Sequence, residues 1–92
     1  MDTASVCEEL AEILTLQNIE IRREGLGGVG SGLCTIQKRN VLFLDIDSTS
    51  REQARALAEA VCRFVDIETI YLRPSIRAFI YELFPDQKNS FY

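Results

Sequence analysis

The chain contains no histidine and no tryptophan, and only three cysteines and two prolines among its 92 residues. Without an imidazole there is no side chain whose ordinary pKa lies near neutrality to act as base or proton shuttle. Histidine-dependent zinc sites are excluded on the same ground. Cys7, Cys34 and Cys62 are too widely spaced for a metal knuckle, and an odd number cannot close a fully paired disulfide framework. All three occupy apolar positions of their segments, which predicts small core hydrophobes in a reducing compartment. The net charge of −4 lacks the surplus of Lys and Arg that a broad nucleic-acid footprint needs, so nucleic acid is not an expected partner. Apolar runs such as Val41–Leu44 fall far short of the roughly 20 residues needed to span a bilayer, so no membrane partner is expected. Met1-Asp2-Thr3 has neither a basic nor an apolar leader region. No signal peptide is expected, and the cytoplasm is the expected location. No cofactor is implied.

What is present is a well-patterned small domain. Apolar residues make up 47% and charged residues 26%, which is the balance of a globular protein, and the length predicts one domain over 1–92. Residues 4–16 read as a first helix, with Val6, Leu10, Ile13 and Leu14 at helical spacing and Asp2 or Thr3 as cap. Ile19 to Arg22 alternates as a strand. Residues 33–38 predict a second strand, Lys38-Arg39-Asn40 a tight turn, and residues 41–46 a third strand. The third is apolar on both faces and is therefore expected at the centre of the sheet. Ser48-Thr49-Ser50 opens a second helix. Thr49 with Glu52 and Ser50 with Gln53 both fit a capping box, and Ala54, Leu57, Ala58, Val61, Cys62 and Val65 form its apolar stripe. Residues 67–72, with Ile70-Tyr71-Leu72, read as a short fourth strand or an extended link. Pro74 starts a third helix and Pro85 stops it, leaving 86–92 as a frayed tail. The expected fold class is α+β: a three-stranded, mainly antiparallel sheet with a fourth strand as an option, three helices on one face, and the order α-β-β-β-α-(β)-α.

All five glycines lie between 25 and 32. Gly25-Leu26-Gly27-Gly28-Val29-Gly30 fits G-x-G-x-x-G, but a dinucleotide fingerprint needs a helix directly after it, and Leu33-Cys34-Thr35-Ile36 reads as strand. No Lys-Ser/Thr pair follows the glycines, so the segment is not a Walker loop. Two readings stand. The glycines form a wide connection between strands, or their amides make a nest for a phosphate or carboxylate. In the second reading Gly27, Gly28 and Gly30, with Arg22 and Arg23, are the ligand-binding residues. Lys38, Arg39, Arg73 and Arg77 are further basic candidates, and Asp45 and Asp47 are possible Mg²⁺ ligands.

Leu42-Phe43-Leu44-Asp45-Ile46-Asp47-Ser48-Thr49, an apolar strand running into D-x-D-x-T, resembles the first motif of haloacid-dehalogenase-type phosphatases over eight residues. The resemblance implies Asp45 as phosphorylated nucleophile, Asp47 as general acid and Thr49 as the third element, beside Mg²⁺. The chain departs from that family elsewhere. The motif follows two strands instead of opening a parallel sheet, and no later pair of acids completes the metal site. A hairpin followed by an amphipathic helix also resembles the layout of small zinc metallopeptidases, with Ala56–Val61 in the place of H-E-x-x-H, but the chain has no His to bind zinc. Ending a strand and capping a helix remains the simpler role for Asp47, Ser48 and Thr49.

Five aromatics, Phe79, Tyr81, Phe84, Phe91 and Tyr92, collect near the C-terminus. More aromatics than one helical face can bury point to a protein contact, with Phe79, Tyr81 and Phe84 as interface residues. The sequence therefore predicts a cytoplasmic, non-enzymatic binding or interaction module, working as a homodimer or with another protein. The alternative is a small-anion or phosphate site at the glycine segment.

Overall fold

The computed structural model describes residues 2–85. The expected frayed tail over 86–92, with Phe91 and Tyr92, lies outside the described residues. Six elements follow one another: α1 (Thr3–Leu16), β1 (Glu20–Glu24), β2 (Gly32–Ile36), β3 (Arg39–Asp45), α2 (Ser50–Phe64) and α3 (Pro74–Leu83). No described helix is long and apolar enough to cross a membrane.

The sheet order is β1-β3-β2. As its two apolar faces predict, β3 is central, but the sheet is mixed rather than mainly antiparallel. β1 runs parallel to β3 with Ile21 beside Leu42, and β2 runs antiparallel to it with Leu33 beside Leu42. Consecutive strands usually pair as hairpins. Here the connection over 25–31 is too long for a tight hairpin, which leaves β1 free to skip its sequence neighbour. The β2–β3 turn lies at Gln37-Lys38, both with positive φ (50° and 68°), and not at Lys38-Arg39-Asn40. Two successive left-handed residues match strand twist in a two-residue hairpin. Asn40 belongs to β3, where it pairs with Thr35 and accepts a bond from its hydroxyl.

One face of the sheet carries the helices. Leu42 and Leu44, with Ile21 and Leu33 at the edge, join a core with Val6, Leu10 and Leu14 of α1, Ala54, Leu57, Ala58 and Val61 of α2, and Ile76 and Ile80 of α3. The caps work as their chemistry suggests. The Asp2 carboxylate accepts the Ser5 amide, and Thr49 and Glu52 form a reciprocal capping box. Gln53 instead donates to the Ser48 carbonyl. The helix ends at Phe64, with Val65 extended at the C-cap, and Val65 still joins the core as the stripe predicts. No strand forms over 67–72. Ile67 and Leu72 are buried as anchors of an irregular segment, a turn at Asp66–Thr69 breaks any pleat, and Tyr71 points outwards. The cysteine expectation also fails in part. Cys7 and Cys62 are half-buried, but Cys34 is exposed on β2.

Leu57 of α2 is fully enclosed within this core cluster. Replacing it with Ala should destabilise the fold by about 2–5 kcal/mol, through lost burial and the cavity left behind. Denaturant unfolding of Leu57→Ala checks this, and a loss below about 1 kcal/mol would mean that the core is not centred there.

Candidate functional site

The glycine segment passes over the C-terminal end of β3. It must do so, because it joins one outer strand, β1, to the other, β2. Two inter-strand spacings, about 9–10 Å, have to be crossed above the end of the central strand. Asp45 ends that strand with its side chain fully buried. One carboxylate oxygen accepts the amides of Leu26 (3.0 Å) and Asp47 (2.9 Å), and the other accepts the amide of Gly30 (3.0 Å). The Asp45 amide in turn donates to the Ser31 hydroxyl at 2.9 Å. Asp47, exposed, accepts the Gly27 amide at 3.0 Å.

The backbone bends that aim these amides need glycine. Gly27, Gly28 and Gly30 have φ of 74°, 83° and 108°, a region that other residues rarely enter. Gly25 is required for space instead, because a Cβ there would lie 2.9 Å from an Asp47 carboxylate oxygen. The amides of the segment close around an anion, and that anion is the chain's own Asp45. Burial works against the Asp45 charge. The amides of Gly30, Leu26, Asp47 and Gly28 outweigh it and hold the carboxyl below its ordinary 3.8.

The expected ligand residues do not converge. Adjacent strand residues face opposite sides of a sheet. Arg22 pairs with Glu20 and lies over the Phe43 ring at 5.7 Å, whereas Arg23 sits close enough to Cys7 to act on its thiol. Arg39 pairs with Glu20, Arg73 with Glu9 at 2.9 Å, and Arg77 with Glu68 while donating to the Ile67 carbonyl. Thr49, the third element of the D-x-D-x-T pattern, accepts the Glu52 amide as helix cap. Among the described residues, no group of three or more potential metal-ligating side chains comes together.

The predicted interface residues lie against the core. Phe79 is half-buried on α3, Arg55 lies 5.1 Å over the Phe84 ring, and the Tyr81 hydroxyl bridges Arg77 and Glu68. The exposed large apolar side chains lie elsewhere: Val29 on the glycine segment, Leu16 and Tyr71 beside a groove of about 250 Å³, Ile46 just after β3, and Ile36, the least exposed of the five, on β2. Sequence reading missed Leu26 and Ser31, whose main-chain and hydroxyl bonds complete the set around Asp45. Ser31, a polar residue between two glycines, was the one available signal.

An Asp whose folded pKa is depressed stabilises the fold above its unfolded pKa, and that contribution is lost as the pH falls through the folded value. The Leu26 and Gly30 amide signals should therefore move with a midpoint below the ordinary carboxyl value as the pH falls. Asp45→Asn, which keeps one acceptor oxygen and loses the charge, should free the loop at neutral pH and lower Tm. Carboxyl-resolved NMR that placed the Asp45 titration above 3.8 would remove the amide cradle as its cause.

A scan against protein-family models, a search of curated proteins and a search of solved structures each gave no match to this chain.

Proposed function

We propose that the chain is a non-enzymatic binding and interaction module that works as a cytoplasmic homodimer. The observation that supports this most directly is the one-sided sheet. Side chains alternate along each strand, so the face opposite the helices carries Val41 and Phe43 of β3, Cys34 and Ile36 of β2, and Arg22 of β1. None of the apolar members of that face belongs to the helix-covered core cluster. Cys34 and Ile36 are exposed and Phe43 is half-buried, while Val41 between them is buried, so the open part of this face lies along β2. An apolar strip rimmed by Glu20, Arg22 and Arg39 has the anatomy of a contact surface, with an apolar centre and a charged rim.

The second reading, a small anion at Gly27, Gly28 and Gly30 with Mg²⁺ at Asp45 and Asp47, has the positive-φ glycines in its favour. It requires the Asp45 carboxylate to give up three amide bonds to the incoming ligand, and Asp47 to tolerate a second negative charge beside it. The interaction reading needs no such rearrangement.

Sedimentation velocity across a range of protein concentrations tests the first reading. The expected result is a mass that rises from monomer to dimer as the concentration rises. Amide-resolved titration with Mg²⁺ and inorganic phosphate tests the second. A mass fixed at the monomer together with saturable shifts at Gly27 to Gly30 would reverse the order of the two.

A further inference from the structure

We propose that β2 is the seam of the homodimer. In this arrangement two copies of the chain pair their β2 strands antiparallel, about a twofold axis at Cys34, to form one continuous six-stranded sheet. The inference rests on the homodimer reading above and names the surface that makes it.

The two outer strands of the sheet differ in chemistry. β1 carries a charge at four of its five positions, Glu20, Arg22, Arg23 and Glu24, and charged side chains on an edge oppose the addition of another strand. β2, Gly32-Leu33-Cys34-Thr35-Ile36, has no charge and no proline. Among the described residues its outer side is the sheet edge whose own strand carries no charge, with the exposed Arg63 of α2 as the ionic side chain beside it.

The register follows from the hairpin. The Gln37-Lys38 turn is closed by Ile36 opposite Arg39. The closing pair of a two-residue hairpin exchanges both hydrogen bonds, and bonded and non-bonded pairs alternate from there. Ile36, Cys34 and Gly32 therefore bond towards β3, while Leu33 and Thr35 turn their main-chain N–H and C=O groups outwards. Antiparallel pairing with a second copy satisfies those groups when Leu33 of each copy lies opposite Thr35 of the other. Cys34 then faces Cys34 as a non-hydrogen-bonded pair, with Cα atoms about 4.5 Å apart. Disulfides accept Cα separations of about 4.4–6.8 Å, so the two thiols come within bonding range.

Side chains and charges suit the same register. Ile36, 38% exposed, falls opposite Gly32 of the second copy. A Cβ at Gly32 would meet nothing within 4 Å, and Gly32 is the register partner of the half-buried Phe43. The glycine thus leaves a gap beside an aromatic ring that the second copy's Ile36 can fill. Antiparallel pairing also brings opposite ends of the sheet together. Lys38 at the hairpin tip of one copy comes to the end of the sheet where Asp47 of the other is exposed, about two strand spacings away. For a chain of net charge −4, this seam places its basic tip where it offsets an acidic group.

The test combines mass with site-specific oxidation. Sedimentation first reports whether the reduced protein is a dimer. Mild oxidation with diamide should then give a covalent dimer on a non-reducing gel. The covalent species should be lost in Cys34→Ser and retained in Cys7→Ser and Cys62→Ser. Thr35→Pro removes an outward amide that the monomer does not use for its ladder, and Ile36→Lys places a charge in the seam. Both should sediment as folded monomers, with circular dichroism confirming the fold, and Ile36→Lys covers the case in which Thr35→Pro does not fold. A dimer that survives Ile36→Lys and does not cross-link through Cys34 would overturn the seam and leave the homodimer reading standing. A monomer at every concentration would overturn both.

Discussion

The Asp45 carboxylate is the interaction on which the rest of the molecule depends. The chain enters the sheet on one outer strand, crosses the end of the centre, and returns along the other outer strand before filling the middle. Such a path leaves a seven-residue segment arched over a strand end, with the amides of Leu26 and Gly30 turned towards the buried Asp45 carboxylate. An unpaired buried amide and an unpaired buried carboxylate are each costly. Putting both in one place cancels the two costs. The carboxylate gains three short bonds, the crossing segment gains a fixed shape, and β1 is held in parallel register beside β3. The Ile46 amide, bonded to the Glu24 carbonyl, extends that ladder by one further step.

The same strand end also launches the helical layer. The Asp45 carbonyl accepts the Ser48 hydroxyl at 2.7 Å, the Ser48 carbonyl accepts the Gln53 amide group, and Thr49 caps α2. Sheet, crossing loop and helix are thereby joined within five residues. α2 then leaves the sheet with its apolar stripe already aimed at α1, and α1 packs on it more extensively than on any strand. The acidic run that resembles a phosphatase motif has a complete structural occupation. Asp45 holds the amides of the crossing segment, Asp47 holds Gly27 and leaves no room for a side chain at Gly25, and Thr49 caps the helix. Each of the three polar side chains that the resemblance singles out is engaged by main-chain amides of its own chain.

Much of this was legible in the sequence, and the illegible part has a common cause. The helices could be read because their signals are local: apolar spacing in α2, a capping box at Thr49 and Glu52, and Pro74 at the start of α3. The central position of β3 could be read from its two apolar faces. Strand pairing could not, because it depends on which segment can reach past which, and the glycines that permit the skip look the same in a flexible hairpin. An anion among the glycine amides was legible as a possibility, but Asp45 as that anion was not. A carboxylate 15 residues away from Gly30 becomes the ligand only once the parallel register is known. In the 67–72 segment Ile70-Tyr71-Leu72 reads as a short strand or an extended link, and the structure has no strand there: Ile67 is buried within a turn and Leu72 is buried beyond it. Exposure misled in the same way for Cys34. Its segment is apolar, yet it lies on the side of the sheet that no described helix covers.

The composition of β2 is not explained by the folding of a single copy. Leu33 belongs there on packing grounds, since it reaches the core. Cys34, Thr35 and Ile36 are exposed, and a charged or bulky polar residue at any of them would protect a lone edge at little energetic cost. β1 shows that this chain uses charges on an edge: Glu20, Arg22 and Arg39 form a ladder of ion pairs there. Glycine at 32 is equally unneeded by the monomer. Its φ is not in the left-handed region, and the space around its missing Cβ is empty. A neutral, unprotected outer strand with a vacant position beside an aromatic ring costs the isolated molecule solubility. Those features become favourable together when a second strand of the same sequence is laid along the first, which is the arrangement that the hydrogen-bond alternation, the glycine gap and the end-to-end charges each select.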